Sequence, residues 1–88
     1  MLELLDFYAD WCGPCQVMKP IFTEIEKKYE GKVTFKSVDV EQEVEMARKF
    51  GVMSIPTFVL VKNDKEVSRK IGAMPKDMLI SWIDVSLS

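Results

Sequence analysis

Leu2–Ala9 is a mostly apolar run of strand length, interrupted in its middle by Asp6 and carrying Glu3 near its start, and it leads through Asp10-Trp11-Cys12-Gly13-Pro14 into a helical pattern. A strand that is apolar on both faces has to be covered on both faces. That points to parallel pairing within a sheet flanked by helices. In the next segment Val17, Met18, Ile21, Phe22, Ile25 and Tyr29 recur at three- and four-residue spacing, which gives a helix one apolar stripe. Pro14 suits its first turn, Pro20 is expected to kink it, and Gly31 is expected to stop it.

The rest of the chain repeats the alternation. Val33–Val40 reads as a second strand, with a shift of face between Phe35 and Val38. Glu41–Phe50 reads as a short helix, acidic early and basic late in keeping with the helix dipole, and Gly51 ends it. Thr57–Lys62 and Glu66–Ile71 are two further strands joined by a hairpin turn at Lys62-Asn63-Asp64-Lys65, whose type the residues leave open. Ala73–Leu87 is the last helix, with Pro75 near its start and Met78, Leu79, Trp82, Ile83 and Leu87 as its buried stripe. The expected order is β-α-β-α-β-β-α. The expected fold class is α/β, a four-stranded mixed sheet between helices on both faces, formed by residues 1–88 as a single domain.

Composition narrows the function. Hydrophobic residues make up 48% of the chain and charged ones 30%, which excludes a disordered segment. Twelve basic residues face fourteen acidic ones, for a net charge of −2, so nucleic acid is not an expected partner. No apolar run approaches the roughly 20 residues of a membrane span, and no basic amphipathic helix suits a membrane surface. No secretory pattern precedes the first strand, so a cytoplasmic location is the default expectation. The chain contains no histidine, which removes histidine acid–base catalysis and every histidine-containing metal site. Two cysteines remain, Cys12 and Cys15.

A pair of cysteines two residues apart has three readings: a reversible disulfide, a metal site, or two inert thiols. A structural zinc site takes about four nitrogen or sulfur ligands, more than this chain offers, so no metal is expected. The pair stands where a strand gives way to a helix, which favours the redox reading. Unpaired N–H groups and the helix dipole there stabilise a thiolate at Cys12, the form that attacks a disulfide. Cys15, one turn later, is expected to be the less exposed thiol and to resolve the mixed disulfide. Gly13 allows a tight turn and Pro14 stiffens it.

Asp10-Trp11-Cys12-Gly13-Pro14-Cys15 resembles the active-site motif of the thioredoxin family. Further matches follow in order: Asp6-Phe7-Tyr8-Ala9, Lys19-Pro20, Val38-Asp39-Val40, Gly51-Val52, Ile55-Pro56-Thr57 and Gly72-Ala73. The resemblance implies a thiol–disulfide oxidoreductase that reduces protein disulfides, with Cys12 as nucleophile and Cys15 as resolving cysteine. It implies that Asp6 is the buried acid serving Cys15, and a carboxyl group in an apolar strand is expected to ionise late. Lys36 matches a lysine near that acid. Pro56 is expected to be a cis-proline facing the disulfide, and the Ile55 backbone to pair with an extended substrate segment. Trp11, Gly13, Pro14, Ile55, Gly72 and Ala73 would complete the substrate surface, with Met53 near its edge, whereas Trp82 is expected in the core. Disulfide-containing proteins are the implied substrates and a thioredoxin reductase the implied electron donor. No cofactor beyond the redox disulfide and a monomeric state are expected.

The chain as given lacks the strand and helix that usually precede the motif strand in this family, so Val33–Val40 is expected to be a sheet edge. Two other functions compete. One is an oxidase or isomerase of the same fold, which differs in reduction potential. The other is a redox-inert binding module, which the intact Cys12, Cys15 and Asp6 disfavour.

Overall fold

Residues 1–88 are described by a computed structural model. The elements are β1 (Leu2–Tyr8), α1 (Gly13–Lys28), β2 (Val33–Asp39), α2 (Val44–Lys49), β3 (Thr57–Lys62), β4 (Lys65–Ile71) and α3 (Lys76–Leu87). They form one four-stranded sheet in the order β2-β1-β3-β4. β1 pairs parallel with β2 and antiparallel with β3, and β3 pairs antiparallel with β4. The expected α/β architecture is present, with β2 at one edge.

The pleat explains the mostly apolar runs. Leu2, Leu4, Phe58 and Leu60 point to one side and pack with Met18, Phe22 and Ile25 of α1 and Leu79 and Ile83 of α3. Leu5, Phe7, Val59 and Val61 point to the other and meet Val38, with Met46, Ala47 and Phe50 of α2 packed on them. The two central strands therefore feed both layers, as a sheet covered on both faces requires. β2 obeys the same alternation. Val33 and Phe35 join the α1 layer and Val38 joins the α2 layer, so the apolar face changes without any break in the pleat.

Several boundaries and burials differ from expectation, each for a local reason. α2 begins at Val44 rather than Glu41, because Asp39 holds the preceding residues in a turn. Its Oδ1 accepts from the Glu41 N–H at 2.9 Å, and its carbonyl accepts from Gln42 and Glu43. α3 begins at Lys76 rather than Ala73, because Gly72 sits at φ +94° and Pro75 caps the helix in an extended conformation. The stripe of α1 is narrower than expected: Met18, Phe22 and Ile25 are buried, whereas Val17 is 62% exposed. On α3 only Leu79 and Ile83 are buried; Met78 and Leu87 are exposed. Trp82 is half-buried rather than core, because its indole N–H donates to Ser68 Oγ of β4 at 2.9 Å.

The hairpin between β3 and β4 is a two-residue turn with Asn63 at φ 53° and Asp64 at φ 65°, the type I′ geometry that matches strand twist. On β4 the register skips Val67, a bulge on the second edge strand. α2 is closed by Gly51 at φ +60°, a conformation that favours glycine, and anchored by Arg69. The Arg69 guanidinium donates to Glu66 at 2.6 and 2.7 Å and to the Phe50 carbonyl at 2.6 Å. Tyr29, which caps α1, donates to Asp84 Oδ1 at 2.5 Å and so ties α1 to α3.

Candidate active site

Everything chemically distinctive gathers at the end of the sheet where β1 runs into α1. Cys12 is the N-cap of α1 and Pro14 occupies its first turn. The Cys15 N–H donates to Cys12 Sγ at 3.2 Å, and the Gln16 N–H to the Cys12 carbonyl at 3.1 Å. A sulfur thus takes the capping role usually filled by a serine or aspartate oxygen. The Gln16 side chain donates to the Asp10 carbonyl at 2.9 Å and pins the loop behind it.

Cys12 and Cys15 form a disulfide across a Cα–Cα distance of 5.2 Å. The expected contrast in exposure is absent in this state: Cys12 is 4% and Cys15 6% exposed. Both sulfurs pack with Ala9, and Tyr8, Val40 and Ile55 close over them.

Asp6 lies two residues along β1 from Leu4, on the α1 side of the pleat. It is 7% exposed, and its Oδ1 has no hydrogen-bond partner. Burial raises its pKa from the ordinary 3.8 to about 6. A cavity of about 130 Å³ connects this carboxyl group with Cys15, and Tyr8, Lys19, Glu26 and Ser37 are among its other lining residues. The Tyr8 hydroxyl is held protonated to higher pH by burial, then by the negative charges of Asp39, Asp10, Asp6 and Glu43.

Lys36 is not part of this arrangement. It stands opposite Leu5 in the β1–β2 register, whereas Ser37 stands opposite Asp6. One residue along a strand reverses the face, so Lys36 is directed away from the carboxyl group, and it is exposed. Ser37 and Lys19 were missed. Counting alternation back from Phe35 places Ser37 on the α1 side. Lys19 is one helical turn beyond Cys15, a spacing that carried the signal.

The remaining predicted residues differ in exposure and in what they touch. Trp11 is 70% exposed, and Gly13, Pro14 and Ala73 are also open to solvent. The Ile55–Pro56 peptide bond is cis, as the resemblance implied, and Pro56 is buried. The Gly72 N–H donates to the Pro56 carbonyl at 2.8 Å, which brings Gly72 beside the proline. Thr57 Oγ1 donates to the Ser54 carbonyl at 2.5 Å and fixes the loop, a contact that no sequence signal announced. The N–H and carbonyl of Ile55 make no backbone hydrogen bond within the chain. Trp11, Val40, Val52, Met53, Ser54 and Ile55 line an open cleft of about 190 Å³. No group of three or more cysteine, histidine or acidic side chains is arranged to hold a metal ion.

Comparison with known proteins gives the same picture. The family model described as Thioredoxin matches residues 1–85. The thioredoxin of Rickettsia felis is 39% identical over 84 residues, covering 96% of this chain and 80% of its own length. That of Rickettsia bellii is 41% identical over 81 residues, covering 92% and 77%. That of Chlorobaculum thiosulfatiphilum is 38% identical over 81 residues, covering 92% and 75%. The chain belongs to the thioredoxin family, and it is a thiol–disulfide oxidoreductase whose active-site disulfide joins Cys12 and Cys15.

Proposed function

We propose that this protein reduces disulfides in other proteins, with Cys12 as the attacking thiolate, Cys15 as the resolving thiol and Asp6 as the acid–base group that serves Cys15. The observation that carries this assignment is the position of Cys12 Sγ at the N-terminus of α1, where it accepts the Cys15 N–H. In the dithiol, that N–H and the helix dipole stabilise negative charge at Cys12 and none at Cys15.

The sequence of steps follows. Cys12 thiolate attacks one sulfur of a substrate disulfide, forms a mixed disulfide and releases the other sulfur as a thiolate. Cys15 then loses its proton to the Asp6 carboxylate across the shared cavity. The Cys15 thiolate attacks Cys12 Sγ, closes the Cys12–Cys15 disulfide and expels the second substrate thiolate, which takes up a proton. Two electrons pass to the substrate. A carboxyl group that ionises near 6 is suited to exchange that proton at neutral pH. Lys36 has no part in this step.

Docking uses the rim. An extended substrate segment pairs with the free N–H and carbonyl of Ile55, a one-residue strand addition. Trp11, Gly13, Pro14, Pro56, Gly72 and Ala73 supply the surface around it. The partners in this reading are disulfide-containing proteins and a thioredoxin reductase that restores the dithiol, and residues 1–88 act as one monomeric domain in the cytoplasm. No helix is long and apolar enough to cross a membrane.

The test is a redox titration of the pair in dithiothreitol and glutathione buffers, with Cys12→Ser as control. A potential below the glutathione couple is expected of a reductase. A potential at or above it overturns the reductase direction and favours the oxidase or isomerase. Full activity of Cys12→Ser overturns the thiolate assignment.

A further inference from the structure

Met53 is 95% exposed, more than any other large hydrophobic residue of the chain. It lies on the loop before Ile55 and lines the same cleft as Trp11. Ile55 packs directly against the Cys12–Cys15 cluster, so this cleft adjoins the reacting sulfurs. The other methionines differ. Met18 is buried, Met46 and Met74 are half-buried, and the exposed Met1 and Met78 are absent from the cleft. The Met1 sulfur accepts the Thr34 hydroxyl at 3.2 Å. The chain therefore sets one fully open thioether on the apolar rim of its redox site.

We propose that Met53 is an oxidation site, and that its conversion to the sulfoxide by peroxide weakens docking of protein substrates while leaving the Cys12–Cys15 chemistry intact. The inference rests on the reading of the Trp11–Ile55 cleft as part of the docking surface. In the step, one oxygen passes from the peroxide to Sδ. The sulfur is oxidised by two electrons, the peroxide is reduced to water, and no proton source or cofactor is needed. Oxidation follows exposure, and the product is a polar, chiral group in place of a flexible apolar one. On the cleft rim that change replaces a favourable contact by a polar group that a docked apolar segment has to desolvate. A small disulfide reaches Cys12 without filling the cleft and escapes the effect.

The experiment treats the disulfide form with hydrogen peroxide, so that neither cysteine is available, then reduces it with dithiothreitol. Peptide mapping locates the added oxygen. Second-order rates are measured with insulin and with hydroxyethyl disulfide. Oxygen is expected at Met53 ahead of Met1 and Met78. The insulin rate is expected to fall about threefold to tenfold, the size of one lost apolar contact, with the small disulfide unchanged. Met53→Leu, whatever its own rate, is expected to lose the sensitivity to peroxide. The proposal is overturned if Met1 or Met78 is oxidised first, if the sulfoxide leaves the insulin rate unchanged, or if peroxide slows Met53→Leu equally. Trp11→Ala separates the two levels. If it leaves the ratio of insulin to small-disulfide rates unchanged, the docking reading itself fails, and with it this proposal. If it lowers the ratio and the sulfoxide does not, only the role of Met53 fails.

Discussion

Replacing Asp6 by asparagine is expected to make the protein more stable at pH 8 and to leave it nearly unaffected at pH 4. The carboxyl group is 7% exposed, its Oδ1 is unpartnered, and it ionises at about 6 rather than at the 3.8 of an exposed aspartate. The folded state therefore keeps this proton to higher pH than the unfolded state. Below about 3.8 both states are protonated and the group costs nothing extra. Between about 3.8 and 6 only the folded state holds the proton, and stability falls by about 1.4 kcal/mol for each pH unit. Above 6 the loss is complete and amounts to about 3 kcal/mol. Asparagine has no such ionisation. Urea unfolding of the disulfide forms of both proteins from pH 4 to pH 8 measures the difference. All other carboxyl groups are common to the two and cancel. The stability gap is expected to open with rising pH by about 3 kcal/mol and to level off above 6. Parallel curves, offset by the same amount at every pH, refute the argument, because the effect is then one of packing rather than of ionisation. The same variant is expected to reduce insulin more slowly at pH 7, since Cys15 loses its proton acceptor. Unchanged turnover refutes the catalytic assignment alone and leaves the stability argument standing.

Other consequences follow from particular contacts. Ser37→Lys places a cation opposite Asp6 and is expected to bring the Asp6 pKa below 6 in an NMR titration, whereas Lys36→Ala, on the other face, leaves it in place. Tyr29→Phe strips the Asp84 carboxylate of its donor and is expected to cost about 1–2 kcal/mol in urea unfolding. Arg69→Ala frees the Phe50 carbonyl and Glu66, and amide exchange in α2 is expected to quicken before any change at Cys12. Gly51→Ala forces a side chain into the left-handed region at φ +60° and is expected to cost about 1 kcal/mol.

The fold was legible because its signal is periodic and repeated. β1 and β3 are apolar at most pleat positions that face a helix, on both sides, with Asp6 and Thr57 as the buried polar exceptions, and few architectures accept such strands. The redox pair was legible because Cys12, Gly13, Pro14 and Cys15 are local to one turn. What escaped the sequence was set by contacts between distant residues or by competition among neighbours. The start of α2 depends on Asp39 capturing three N–H groups, which the helical charge pattern of Glu41–Phe50 does not reveal. The half-burial of Trp82 depends on Ser68, fourteen residues away. Lys36 failed for a different reason. Resemblance supplied the residue type, but only pleat parity decides the face, and parity selects Ser37.

Asp6 shows how the core and the chemistry share one cause. The alternation that sends Leu2 and Leu4 under α1 sends Asp6 to the same side, and α1 begins just past the end of β1, so its first turn carries Cys15 over the carboxyl group. Moving the acid by one residue would place it in the layer of Leu5 and Phe7, away from the sulfur. The placement costs about 3 kcal/mol at neutral pH. Complete burial of one leucine or phenylalanine contributes about 1.5–3 kcal/mol. Leu4, Phe58 and Leu60, all fully buried in the same layer, therefore offset the ionised carboxylate with a margin. A chain this short keeps an ionisable group in its interior because the side chains packed around it in that layer, Leu4, Phe58 and Leu60 among them, are apolar. The apolar residues of Leu2–Ala9 are thus a requirement of the site as much as of the fold.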